Sequence, residues 1–349
     1  MHGRLISAGV VVVCSAILVA FHVGARMPQA ARPSAQQQAP PIVTEVRLVD
    51  VIFTVLNRRQ KFVTDLGKEN FKVFEDGEPQ EIRFFSRQTD LPLRVGMLLD
   101  TSNSIRDRLK FEQEAAADFF YSTVRRNKDL AFLMIFDNEP SVIEEYTSDL
   151  DKLRDTINRQ RAGGGTALYD GVHFACNDRL AKPPMPAGPT PEVRRVLVVI
   201  SDGDDTHSNR AKSEAIEACQ RAGVVVYAIS TSTQWVTATE AADPTKRVNR
   251  KIHKEAGDKT LDELTGETGG RAFFPYRLDD LTQSFQDIGD ELRSQYSLAY
   301  VPQNKSTEGV FRKIKIEVDR KGLMVRARKG YYSPRTAAIT PASARPPGQ

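Results

Sequence analysis

The sequence predicts an α/β fold: a doubly wound, mostly parallel sheet with helices on both faces, flanked by a small β domain formed from both chain ends. Short apolar runs such as residues 95–99 and 195–200 end at polar residues, which is typical of strands buried on both faces. Segments with apolar residues at helical spacing alternate with these runs between residues 92 and 293. Alternating strand patterns on both sides of that region predict the flanking domain.

The composition is that of a globular protein, with 349 residues, 40% hydrophobic and 27% charged. The formal net charge of +4 is small, and basic residues are nowhere densely interleaved with aromatic ones, so we expect no nucleic-acid partner. The predicted parts of the chain are a signal peptide or membrane anchor (1–25), a flexible Pro/Gln/Ala-rich linker (26–41), the first part of the β domain (42–91), the α/β domain (92–293), the strands that complete the β domain (294–334) and a disordered tail (335–349).

Residues 5–23 are almost wholly apolar, which predicts either a long signal peptide or an uncleaved anchor helix. The small residues around Gly24 and Ala25 would suit cleavage, whereas the length of the apolar run favours an anchor, and both interpretations stay open. Either one would export the remainder of the chain, to the periplasm or the cell exterior.

Two cysteines, Cys176 and Cys219, follow the apolar segment, and an oxidising compartment would allow one disulfide between them. They lie in separate predicted helices, and their pairing depends on a geometry that the sequence does not give. We therefore expect two buried free thiols.

The β domain begins with a strand at residues 45–56, which are rich in Val, Ile and Phe. Residues 71–75 and 81–85 flank Asp76-Gly77, a strong hairpin signal. Three closing strands at residues 295–301, 311–318 and 323–328 are expected to pair with this N-terminal part.

The α/β domain alternates strands and helices in order along the chain. The predicted strands are 95–99, 130–136, the edge strand 142–146, 195–200, 224–229 and 271–274, and the predicted helices are 107–124, 149–158, 168–180, 209–222, 261–268 and 278–292.

Three oxygen-bearing side chains follow the first of these strands on alternate residues, Asp100, Ser102 and Ser104. Hard oxygen groups suit Mg²⁺, Ca²⁺ or Mn²⁺. Taken alone, the pattern is equally typical of a strand that ends in a turn.

A second stretch, residues 161–171, places three glycines before Thr166, whose hydroxyl would be a further oxygen ligand. Two alternatives are that Thr166 caps the following helix, or that the glycines form a phosphate loop. The lysine of a Walker A motif is absent from this stretch, which argues against the second.

The third stretch follows strand 195–200 and contains the carboxylate of Asp202 and then a glycine. Because ligands of open parallel sheets bind at the carboxyl ends of the strands, these oxygen groups would converge on one point. The sequence thus predicts a site for one divalent cation, Mg²⁺ with Mn²⁺ or Ca²⁺ as alternatives, held by Asp100, Ser102, Ser104, Thr166 and Asp202.

The three stretches, DTSNS, GGGTALYD and ISDGDD in this order, resemble the von Willebrand factor type A domain, a Rossmann-like fold, and its metal-ion-dependent adhesion site. The five residues match that motif position for position, and the resemblance covers residues 92–293. The flanking stretches also resemble those of bacterial exported proteins built around such a domain. The resemblance implies a non-enzymatic adhesion or assembly module, in which an Asp or Glu of a partner protein completes the coordination of the metal.

A long insert, residues 230–259, leaves the carboxyl end of its strand and should emerge beside the metal site. We interpret it as a specificity loop for an acidic partner, and the alternative is a mobile solvated loop or a helix extension. The candidate partner-binding residues are Trp235, Lys246, Arg247, Arg250 and Lys251.

Two other functions are weighed against the binding module. A metal with open positions can act as a Lewis acid, so a metal-dependent hydrolase is the first alternative. His207 is the nearest candidate base, but an exposed loop histidine is the more common case, and Ser102 has no partner histidine in a recognisable motif. The second alternative is a scaffold whose metal only ties loops together.

Overall fold

The computed structural model describes residues 48–87, 91–106, 108–187, 192–232, 256–275, 278–304 and 309–334. The predicted signal or anchor segment, the linker, the C-terminal tail and most of the insert lie outside the described residues. Within the described ranges, no helix is long and apolar enough to cross a membrane. All of these ranges belong to one compact unit, Val46–Gln349.

The described strands are, in chain order, β1 (Val49–Asn57), β2 (Phe71–Glu75), β3 (Glu78–Gln80), β4 (Ile82–Arg87), β5 (Leu93–Asp100), β6 (Leu130–Phe136), β7 (Pro140–Thr147), β8 (Arg194–Ser201), β9 (Val224–Ser230), β10 (Ala272–Phe273), β11 (Tyr296–Tyr300), β12 (Phe311–Val318), β13 (Leu323–Ala327) and β14 (Gly330–Tyr332). The described α-helices are α1 (Leu109–Thr123), α2 (Leu150–Asn158), α3 (Leu168–Phe174), α4 (Lys212–Ala222), α5 (Ala256–Thr268) and α6 (Leu278–Arg293).

The central sheet has the strand order β10-β9-β8-β5-β6-β7. All its neighbouring strands are parallel except the edge pair β6–β7, which confirms the predicted fold class. Strands β5 and β8 are neighbours, with Leu99 opposite Ile200. The residues that follow these two strands therefore leave the sheet side by side.

Alternation along β5 divides its side chains between two apolar cores. Val95, Met97 and Leu99 face the core formed with α1, α2 and α6. Leu98 faces the opposite core, formed with α3, α4 and α5. Burial on both faces explains why the strand is a continuous apolar run rather than an alternating one.

The flanking β domain consists of two four-stranded sheets, β13-β1-β11-β4 and β14-β12-β2-β3. They enclose an aromatic core in which the ring of Phe53 lies 5.0 Å from that of Phe71 and 5.4 Å from that of Tyr296. The closing strands pair with the N-terminal ones as expected, since β11 and β13 flank β1 and β12 pairs with β2.

The hairpin at Asp76-Gly77 forms, but its second strand differs from the prediction. Both residues have positive φ, 51° and 94°, as the tight turn requires. The partner of β2 is the short β3, whereas β4, which holds most of residues 81–85, pairs with β11 in the other sheet. The chain thus crosses between the sheets directly after the hairpin.

The expectation of two free thiols is wrong, because Cys176 and Cys219 form a disulfide. Helix α3 continues as a π-helical turn, Ala175–Leu180, that packs beside α4 and brings the two Cα atoms within 4.9 Å. The sequence placed the cysteines in separate helices but did not show that these helices are neighbours. The bond joins the two helices that follow the second and third predicted stretches.

Candidate metal centre

Asp100 ends β5 and is completely buried. Its Oδ1 accepts a hydrogen bond from the amide of Ser102 at 2.8 Å, and its Oδ2 accepts one from the hydroxyl of Ser201 at 2.7 Å. The two bonds fix the carboxylate at the carboxyl end of β5. Ser201 also accepts from the amide of Gly203 at 3.1 Å, so it links β8 to the loop that carries Asp202.

The hydroxyl of Ser104 connects the first and third stretches. It lies 2.8 Å from the hydroxyl of Ser102 and donates to Oδ2 of Asp202 at 2.9 Å. The other oxygen of Asp202 accepts from the amide of Asp204 at 3.2 Å. Two carboxylates and two hydroxyls therefore meet at the carboxyl ends of β5 and β8.

The glycine-rich loop is joined to the same edge through its backbone. The amide of Gly163 donates to the carbonyl of Thr101 at 2.7 Å, and the amide of Asn103 donates to the carbonyl of Gly164 at 3.4 Å. Thr166 is buried, and its carbonyl accepts from the amide of His207 at 3.0 Å. Helix α3 has Ala167 at its N-cap, so Thr166 is not the cap of this helix.

Two glycines bring α5 against the loop after β8. A Cβ on Gly203, whose φ is +82°, would lie 2.2 Å from the carbonyl oxygen of Gly257. A Cβ on Gly257 would lie 2.1 Å from the carbonyl oxygen of Asp202. The backbone of Asp202 is thus held by an approach that only glycine allows.

The described ends of the insert lie at this same edge. Ser230 and Ser232, at the end of β9, donate to Oδ1 of Asp258 at 2.6 and 2.8 Å, and Asp258 follows Gly257 in α5. The predicted insert therefore leaves and re-enters the described structure beside the loop of Asp202. Its candidate partner-binding residues, Trp235 and the four basic residues, lie outside the described residues.

A network of polar groups holds the rest of the loop after β8 against α3. Asp205 accepts from the amide of Tyr169 at 3.0 Å and from the hydroxyl of Ser208 at 2.6 Å. Asp170, in the first turn of α3, accepts from the amides of Asn209 and Arg210.

Electrostatics at the carboxyl ends of β5 and β8 disfavours the ionised forms of Asp100 and Asp204. Burial, with a smaller contribution from the charge of Asp202, raises the pKa of Asp100 to about 6. Burial followed by the charges of Asp202 and Asp258 also raises the pKa of Asp204. A cation between these carboxylates would relieve the repulsion, since an opposite charge favours the ionised form.

The donor set suits a hard divalent cation. Carboxylate and hydroxyl oxygens are the ligands that Mg²⁺ prefers, and two carboxylates leave positions for water or an outside ligand. Within the described ranges, no group of three or more His, Cys, Asp and Glu side chains is arranged to hold a metal. A buried carboxylate at the start of α1, Glu112, has no hydrogen-bond partner within the described structure and lies in the field of Asp100 and Asp202.

The structure thus joins Asp100, Ser102, Ser104 and Asp202 by hydrogen bonds and sets Thr166 on a loop bonded to the same edge. Their role as metal ligands stays a prediction.

Sequence reasoning missed three polar groups, Ser201, Asp205 and Glu112. A signal existed for the last one. Glu112 falls three residues after Leu109 and four before Ala116, on the apolar stripe of α1, where a carboxylate is unexpected.

His207 packs against the glycine-rich loop and is exposed. A Cβ on Gly165 would lie 2.3 Å from the His207 ring, and Nδ1 of that ring lies 2.8 Å from the hydroxyl of Thr206. The imidazole is therefore placed by its neighbours at the rim of the site.

Residues 95–204 match the family model of the von Willebrand factor type A domain. The matched range begins within β5 and ends just after Asp202, so it contains all five predicted ligand residues. The predicted resemblance to the von Willebrand factor type A domain is therefore confirmed over this range. The match covers less than half of the chain.

A search of curated proteins gives no match to the sequence. Among solved structures, a von Willebrand factor type A protein from Catenulispora acidiphila is 10% identical, with coverage of 84% of this chain and 76% of that chain and a TM-score of 0.45. The conserved hypothetical protein BatB from Bacteroides thetaiotaomicron is 18% identical, with 57% and 99% coverage and a TM-score of 0.41. The PilB minor pilin from Streptococcus sanguinis is 13% identical, with 59% coverage of this chain and a TM-score of 0.42, and the present chain spans 62% of its length. At these identities and scores the similarities say nothing about function.

Proposed function

We propose that this protein is an exported, metal-dependent binding module that captures an acidic residue of a partner protein through a divalent cation. One observation carries the proposal: the hydroxyl of Ser104 bridges Ser102 and Asp202, so oxygen groups from two separate loops already meet at one point. The von Willebrand factor type A match over residues 95–204 supports the same class of module.

The ion would be held by Asp100, Ser102, Ser104, Thr166 and Asp202, with Mg²⁺ as the proposed cation and Mn²⁺ or Ca²⁺ as alternatives. When bound, it supplies an electrophilic centre for a carboxylate oxygen of the partner. The chain itself orients the ligands: Ser201 holds Oδ2 of Asp100, and the Gly203–Gly257 contact holds the backbone of Asp202.

Export is part of the proposal. The apolar segment at residues 5–23 supports it, as either a signal peptide or an anchor. The disulfide between Cys176 and Cys219 supports it independently, because such bonds persist in oxidising compartments.

The test is a calorimetric titration of Mg²⁺ into the metal-stripped full-length chain, beside Asp202→Asn and the control Asp178→Asn. Asn keeps the size of Asp202 and removes its charge, whereas Asp178 is exposed in the π-helical turn after α3. We expect one-site binding in the wild type and in the control, and none in Asp202→Asn. An absence of binding in all three proteins would refute the proposed metal site.

Partner capture is tested with immobilised peptides that carry Glu at one position, each paired with the same peptide carrying Gln. Retention of the Glu peptides that requires both Mg²⁺ and Asp202 would support the binding module. Metal binding that only raises the melting temperature, with equal retention of both peptides, would favour the scaffold. Metal-dependent turnover of a nitrophenyl ester, lost in Asp202→Asn, would favour the hydrolase.

A further inference from the structure

Glu112 is a completely buried carboxylate in the first turn of α1. Within the described structure, neither of its carboxyl oxygens has a hydrogen-bond partner. Burial of a carboxylate without partners is unfavourable, so such a group in a folded protein calls for an explanation. A leucine or an alanine would serve the packing of this apolar stripe better.

The helix geometry directs this side chain toward the metal centre. Ser102 is followed by a short turn, Asn103–Ile105, and the amide of Arg108 donates to the carbonyl of Ile105 at 2.9 Å. Helix α1 begins at Leu109, four positions after Ile105. Because helical side chains lean toward the N-terminus of their helix, Glu112 leans toward the loop that carries two of the predicted ligands.

Electrostatics supports the same placement. Burial raises the pKa of Glu112 to about 8, with contributions from the negative charges of Asp100 and Asp202, while the charge of Arg108 lowers it. Both candidate ligands are thus close enough to act on this carboxyl group. A divalent cation held by Asp100 and Asp202 would be the positive charge that favours its ionised form.

We propose that Glu112 lies behind the metal centre and raises the affinity for a divalent cation through its charge, from the core side of the site. This inference rests on the proposed metal-binding function and adds a residue that the three motif stretches do not contain. With Glu112 ionised, the three carboxylates exceed the charge of a divalent ion by one, which favours retention of the cation.

The test measures Mn²⁺ affinity of the metal-stripped full-length chain by calorimetry. The matched control is Glu114→Gln, which removes the same charge from an exposed position of the same helix. We expect Glu112→Gln to bind Mn²⁺ about 10- to 100-fold more weakly, as is typical when a group behind the ligands is removed. Glu112→Asp keeps the charge and should retain most of the affinity, and Glu114→Gln should match the wild type.

Melting temperatures separate this role from a structural one. In EDTA, Glu112→Gln should melt close to the wild-type temperature, because the raised pKa keeps the buried carboxyl group mostly protonated at neutral pH. Mn²⁺ should raise the melting temperature of this variant less than that of the wild type. Glu112→Leu fits the apolar stripe and gives a second charge-free variant with the same expected loss of affinity.

Wild-type Mn²⁺ affinity in folded Glu112→Gln or Glu112→Leu would overturn the inference and leave the proposed function standing. A lower melting temperature of these variants in EDTA, with an undiminished response to Mn²⁺, would likewise assign Glu112 a structural role. An absence of Mn²⁺ binding in the wild type would refute both proposals together.

Discussion

The disulfide between Cys176 and Cys219 allows a quantitative prediction for stability. It closes a loop of the chain with a sequence separation of 43 residues, and this loop contains β8 and the stretch with Asp202. The loss of chain entropy in the unfolded state on closing a loop of this length is worth about 4 kcal/mol at 25 °C. We therefore expect Cys176→Ala/Cys219→Ala to lower the free energy of unfolding by about 4 kcal/mol, with a small further loss from packing.

The assay is urea unfolding followed by circular dichroism, without reductant, for the wild type, both single variants and the double variant. Each single substitution already breaks the bond, so each single variant should lose nearly as much stability as the double variant. Reductant should destabilise the wild type once the buried bond becomes accessible, and it should leave the double variant unchanged.

Additive losses of about 1 kcal/mol for each substitution would refute this reasoning, because they are typical of two independently packed thiols. The full chain has a third cysteine, Cys14, so the disulfide leaves one titratable thiol in the unfolded, unreduced wild type. Three titratable thiols would refute the reasoning directly.

Three further predictions concern the metal site and the core. Mg²⁺ at a hundredfold its dissociation constant should raise the free energy of unfolding by about 2.7 kcal/mol, and Asp202→Asn should abolish this gain in thermal melts. Gly203→Ala should lose Mg²⁺ binding in calorimetry, because φ of Gly203 is +82° and the new Cβ would lie 2.2 Å from the carbonyl oxygen of Gly257. The control Gly266→Ala in α5, which has open space around it, should bind Mg²⁺ normally. Glu291→Ala should lower the free energy of unfolding in urea by about 3–5 kcal/mol, because it removes the buried carboxylate that accepts hydrogen bonds from Arg326 at 2.8 and 2.9 Å. A decrease below about 1 kcal/mol would contradict this reasoning.

The central sheet could be predicted because its strands are buried on both faces. The run from Val95 to Leu99 has no competing interpretation as a helix, since it is short and ends at Asp100. The pairing of both chain ends was also predictable, because the closing strands need a sheet and the N-terminal segment supplies one.

Long-range proximity could not be read from the sequence. The disulfide depends on the packing of α3 beside α4, and the partner of β2 depends on a crossing between two sheets. Glu112 was missed for a different reason: an acidic residue on an apolar stripe becomes informative only once the structure shows that it is completely buried and that, within the described residues, neither carboxyl oxygen has a hydrogen-bond partner.

The carboxyl ends of β5 and β8, which carry the predicted metal ligands, are held in place by contacts between protein groups. The glycine-rich loop is bonded to Thr101, the loop of Asp202 is packed against Gly257, and the disulfide at Cys176 ties the helices behind both. A ligand set held in this way loses little conformational freedom when the ion binds, so more of the interaction energy appears as affinity. The described ends of the insert, at Ser232 and Asp258, are fixed to the same edge by a bond of 2.8 Å. A partner that reached the proposed ion would therefore approach directly beside both ends of the predicted specificity loop.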